Sequence, residues 1–147
     1  MSREYDYLLD GDPREVLVWH KRSDVWGNPV FADRCTLAHL TATDDAAVAR
    51  FGVGVQVLQG AFNTSIGASA GTHDFGRVID AYIPGTDWLD AQRFFRAQGW
   101  AAWYRRPPLF SRHIHMVSLP VVDTGVRVGE FVPGQIADYL ADPPRDG

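Results

Sequence analysis

Cysteine is almost missing from this chain: Cys35 is the only one among 147 residues. That excludes an internal disulfide and any cysteine-rich zinc cluster. No run of eighteen apolar residues occurs, so no membrane span is expected. The stretch from Met1 to Asp12 is polar and acidic, without the basic start and apolar run of a secretory signal. If the protein works outside a cell, some route other than a standard signal peptide is expected. An excess of positive charge is missing too. The net charge of −4 argues against a nucleic-acid-binding surface, which is normally basic. Internal repeats and low-complexity runs are absent as well.

What is present suits one soluble globular domain, with 46% apolar and 22% charged residues. Five tryptophans and eight phenylalanines point to a well-filled core or an aromatic-lined groove. Residues 1–52 read as an N-terminal covering or docking segment plus a first helix, 53–141 as the core of the domain, and 142–147 as a tail. The first 29 residues are irregular, punctuated by Gly11, Pro13, Gly27 and Pro29, with a short strand at Val16–Trp19. Trp19 and Trp26 suggest a segment lying across the body or docking onto another chain. His20, beside Lys21 and Arg22, reads as a surface residue. Asp33 to Phe51 reads as helical, broken near Thr41–Thr43, with an apolar face of Leu37, Leu40, Val48 and Phe51. Thr43 or Asp44 would cap the second piece, and Gly52 would end it. His39 is expected to be a satisfied or solvated histidine, not a ligand.

Val53 to Gln59 alternates as a strand does, with Val53, Val55 and Val57 on one face. Gly60 to Gly71 has a loop composition, and a loop of that length in a compact domain usually carries function. Arg77 to Ile83 is the next strand, with Val78, Asp80 and Tyr82 on one face. A carboxylate among apolar neighbours there is costly unless paired, hydrogen-bonded or bound to a metal. After the Pro84-Gly85 turn, Thr86 or Asp87 caps a helix bearing Trp88, Leu89, Ala91, Phe94 and Phe95 and ended by Gly99. Trp100 to Tyr104 and His113 to Leu119 are strands, Arg105 to Pro108 a loop, and Gln135 to Leu140 a short helix. This order predicts an α+β domain with a small, mostly antiparallel sheet and flanking helices.

Three of the five histidines fall in two compact motifs. His73 precedes Asp80 by seven positions, and His113 and His115 are separated by one residue. Alternation along a strand puts His113 and His115 on one face. Both could address one ion, or one could bind it while the other handles protons. Two histidines and a carboxylate would leave a fourth tetrahedral position for water, the mark of a catalytic zinc site. A metal-free domain binding a small ligand in an aromatic groove is the competing reading. It requires His73, Asp80 and His115 to lie apart.

The pattern His73, Gly76, Val78, Asp80, followed by His113 and His115, resembles the zinc peptidases of the D-Ala-D-Ala carboxypeptidase and hedgehog group, with their lysostaphin-like relatives. The phrases Gln59 to Phe62, Gly71 to Asp74, Gly99 to Arg105 and Gln135 to Tyr139 are similar to small actinobacterial and actinobacteriophage domains of this kind. The likeness runs from Val53 to Tyr139. It implies a hedgehog or DD-peptidase-like fold, with Zn2+ held by His73, Asp80 and His115 and with His113 assisting catalysis. It also implies peptide bonds of bacterial peptidoglycan stem or cross-bridge peptides as substrates. Arg77 and Arg112 flank the motifs; each could pair with a substrate carboxylate, and solvated surface charge is the competing reading for both. The chain departs from the family at Gly71 (commonly serine), at Val78 (commonly alanine) and at Arg112, where carboxypeptidase members carry a glutamate base. The expectation is therefore a zinc metallopeptidase, phage-borne or actinobacterial, in a virion, released through a holin onto the cell wall, or cytoplasmic. The alternative is a phage virion (tail) structural or wall-binding protein of peptidase-like fold with little or no catalysis, contacting other virion proteins through its N-terminal segment.

Overall fold

A computed structural model describes residues 7–8, 10–61, 76–107, 111–121, 126, 128–129 and 132–141. His73, the 62–71 part of the expected loop and the 142–147 tail lie outside them. The fold is α+β. Strands β1 (Val16–Val18) and β2 (Phe31–Asp33) form an antiparallel ribbon. Helix α1 (Arg34–Phe51) follows, then β3 (Gln56–Gln59), β4 (Val78–Tyr82), α2 (Trp88–Ala97), β5 (Trp100–Arg105), β6 (His113–Ser118) and α3 (Val132–Ala141). The four later strands form one antiparallel sheet in the order β3-β4-β6-β5.

Alternation gives that sheet two different faces. Ile79 and Ala81 of β4, Ile114 and Met116 of β6, and Trp100 and Ala102 of β5 join the main core. There they meet Leu37, Leu40 and Ala47 of α1 and Ala91, Phe94 and Phe95 of α2. The opposite face carries Val78, Ala101 and Val117, covered at one end by Val132 and Ile136 of α3. The rest of that face holds Trp103 and a set of polar residues. Trp19, Val30 and Ala32 share the main core with residues of the sheet. Trp26, by contrast, is 69% exposed. The β2 strand was not anticipated, because three residues just after a proline carry too little pattern.

Helix α1 is continuous, which corrects the expected break. Asp33 caps it by accepting from the Thr36 amide at 2.9 Å, and Gly52, at φ 76°, ends it. Thr41 and Thr43 do not interrupt it. Their hydroxyls donate back to the Leu37 and His39 carbonyls, one turn earlier, and accept the indole N–H groups of Trp19 and Trp100, each at 2.9 Å. Full burial of an indole contributes about 5 kcal/mol before conformational entropy is deducted, and these hydroxyls satisfy its one polar atom. Asp44 is not a cap. It is fully buried, accepts the Val55 amide at 2.7 Å and pairs with Lys21 and Arg22. Val48, placed on the apolar face by its spacing, is 44% exposed.

His39 is a satisfied histidine, as its sequence context suggests. Its ring stacks on Trp100 with centroids 4.1 Å apart. Nε2 donates to the Gln98 carbonyl at 2.6 Å, and Nδ1 faces the Ser118 hydroxyl at 2.6 Å. Burial pushes its pKa below the ordinary 6.5, a shift the Gln98 carbonyl partly opposes. The unfolded chain then binds more protons than the folded one as pH falls below 6.5. We expect stability to be full above that pH and to decline below it. Urea midpoints against pH should show this slope, and His39→Phe should flatten it; an unchanged slope would dismiss His39 as its source.

Helix α3 begins at Val132, not at Gln135. Pro133 fits its first turn, where no amide hydrogen is required. No helix among the described residues is long and apolar enough to cross a membrane.

Candidate functional site

The polar part of the α3-covered face is a row of side chains set by strand register. Gln59 lies opposite Asp80, Asp80 opposite His115, His115 opposite Trp103, and His113 opposite Arg105. Asp80 and His115 are 35 positions apart in the chain, yet His115 Nδ1 is 3.0 Å from Asp80 Oδ1. His113 Nε2 is 3.5 Å from Asp80 Oδ2. Asp80 is 8% and His115 5% exposed, so the carboxylate is desolvated and needs positive charge nearby. Two of the three expected zinc ligands are thus brought together, with His113 beside them. His73 lies outside the described residues.

The proton on the His113 ring follows from its partner, whereas His115 stands between two acceptors. His113 Nδ1 is 2.6 Å from the Ser111 carbonyl, which can only accept, so Nδ1 carries a hydrogen. In the neutral ring Nε2 then presents a lone pair toward Asp80. His115 Nε2 lies 3.1 Å from Gln135 Oε1. A hydrogen donated there likewise leaves the His115 Nδ1 lone pair facing the carboxylate. Lone pairs converging on a carboxylate call for a cation among them, either a proton or a metal. Two ligands of a tetrahedral zinc, each about 2.0–2.1 Å from the ion, stand about 3.3 Å apart, close to the observed Nδ1 to Oδ1 separation. Nitrogen and carboxylate donors suit zinc. No complete group of three His, Cys, Asp or Glu metal donors occurs among the described residues.

Arg77 corrects the expectation of a substrate-facing arginine. It is 6% exposed, and its Nε and Nη2 both donate to the Ser118 carbonyl, at 2.9 and 2.8 Å. Its amide donates to Asp33 Oδ1 at 3.1 Å. It holds a left-handed φ of 77°, a conformation rare outside glycine, and these bonds tie the start of β4 to the end of β6 and the α1 cap. Arg112 is exposed, just before β6. The arginine beside the site is Arg105, which the sequence pattern had put in a loop. It ends β5 opposite His113, with its guanidinium carbon 5.7 Å from the Trp103 ring centroid. Burial lowers its pKa, and the negative charge of Asp80 pulls in the opposite sense.

Gln59 reaches this face through a β-bulge. Val57 pairs with Ala81 and Gln59 with Asp80, so Leu58 is the extra residue. Without the bulge, Gln59 would follow Val57 toward the main core. The Gln59 Nε2 is buried and has no hydrogen-bond partner among the described residues. Trp103 and Tyr139 close one side, edge to face with centroids 5.7 Å apart, and Trp103 lies 5.9 Å from the His115 ring. Compared with known protein families, curated proteins and solved structures, the chain gives no match.

Proposed function

We propose that this chain is a zinc-dependent peptidase cleaving peptide bonds in the stem or cross-bridge peptides of bacterial peptidoglycan. Asp80 and His115 would hold the ion, and His73 would complete the set. The reading is carried by one observation, the convergence of His115 Nδ1 and His113 Nε2 on the buried Asp80 carboxylate. Zinc in such a site polarises a carbonyl oxygen and acidifies water to near-neutral pKa. The chain's own groups supply the rest. His113, its Nδ1–H held by the Ser111 carbonyl, offers Nε2 to take a proton from the attacking water and return it to the leaving amine. The amide nitrogen of Gln59, buried and without a hydrogen-bond partner among the described residues, donates to the substrate carbonyl oxygen as charge develops on it. Arg105 pairs with a substrate carboxylate, the role first given to Arg77 and Arg112.

The test is cleavage of defined stem and cross-bridge peptides by the zinc-loaded chain, followed by mass spectrometry. Cleavage should stop with a chelator and return with zinc. His113→Ala should lower kcat about 10²–10⁴-fold. Zinc-saturated protein that leaves all such peptides intact would sink the reading. It would favour instead the structural or wall-binding virion protein, for which the 69% exposed Trp26 supplies an apolar docking point on the N-terminal segment.

A further inference from the structure

Gln135 belongs to neither histidine motif, and no ligand set requires it, yet its Oε1 sits 3.1 Å from His115 Nε2. A histidine held only at one nitrogen can still swing about that contact; held at both, its ring plane is defined. The neutral ring has a single N–H, and two acceptors compete for it. The Asp80 carboxylate draws the hydrogen to Nδ1, and the Gln135 carbonyl oxygen draws it to Nε2. We propose that Gln135 is a positioning residue that biases His115 toward the Nε2–H tautomer and so turns the Nδ1 lone pair to a cation between His115 and Asp80. Histidines that bind metals depend on such partners for orientation and basicity.

The support for Gln135 is built into α3. Val132 and Ile136 are buried against Val78, Ala101 and Val117. Tyr139, one turn beyond Gln135, meets Trp103 edge to face. These contacts fix the helix to the sheet and place residue 135 over His115. The purpose given to this contact rests on the metal reading above, but the tautomer itself is measurable without metal.

The experiment is nitrogen-resolved NMR of the His115 ring in the metal-free full chain, at a pH where imidazoles are neutral. Wild type, Gln135→Met and Gln135→Glu are compared. The methionine keeps length and loses the acceptor, and the glutamate keeps an acceptor and strengthens it. The Nε2–H fraction should rise in the order Met, Gln, Glu. Zinc affinity, from competition with a coloured chelator, should follow the same order, with Gln135→Met about 10–100-fold weaker than wild type. Equal tautomer populations in all three proteins would overturn the proposal, as would a zinc affinity untouched by Gln135→Met. The expected tautomer order without zinc uptake by any of them would uphold the positioning role and overturn the metal reading alone.

Discussion

His115→Ala should reduce zinc content from about one ion per chain to almost none when the protein is purified without added metal. Zinc binding free energies near 10–16 kcal/mol, shared among three or four ligands, amount to roughly 3–5 kcal/mol for each. Losing one should therefore weaken affinity by about 10²–10³-fold or more. His115 is the informative position because it stands on β6 between two strands of the sheet, directly opposite Asp80. Asp80→Asn tests the other side of the pair, keeping the side chain's shape while removing the charge. Metal analysis and a chelator-competition titration measure both, and thermal melts establish that each variant is folded. Equal zinc in wild type and His115→Ala would place any metal away from this face.

The second large effect is on stability. Asp44→Ala should cost about 3 kcal/mol, because a buried acceptor of several bonds is lost at once. The Asp44 side chain is fully buried, while Lys21 and Arg22 retain 14% and 27% exposure. Those two partners can recover some solvation, which keeps the cost at the low end for a broken buried pair. The Val55 amide has no such escape, since it is buried and bound by Asp44 at 2.7 Å. In a chain of 147 residues this corresponds to a fall in Tm of about 6–12 °C. Asp44→Asn, which retains an acceptor for Val55, should lose less. A melt within one degree of wild type for Asp44→Ala would show that the cluster joining the N-terminal segment, α1 and β3 contributes nothing.

Much of this layout was legible locally. The alternation in Val78 to Tyr82 and in His113 to Ser118 identifies two strands and assigns Asp80, His113 and His115 to single faces, because a strand's side-chain period is two. Apolar spacing at Ala91, Phe94 and Phe95, between Asp87 and Gly99, marks α2 for the same kind of reason. The errors fall where a distant partner reverses a local preference. Thr41 and Thr43 look like a helix break until the indoles of Trp19 and Trp100, 22 and 57 positions away, arrive to use their hydroxyls. Asp44 looks like a cap until Lys21 and Arg22 reach it.

The site shows the same division. Residue types and the His-x-His spacing are enough to nominate Asp80 and His115, and alternation is enough to say which way each points along its own strand. Neither says that β4 lies beside β6 with those two residues in register. That pairing closes a 35-residue separation and is selected by burial of the opposite face, where a slip of one residue would turn Ile79, Ala81, Ile114 and Met116 out of the core. The choice of Arg105 over Arg77, the arrival of Gln59 through a bulge and the approach of Gln135 from α3 are equally non-local. Each depends on how packed elements meet, and hydrophobic burial, which brings them together, leaves no spacing signature in the polar residues it carries along.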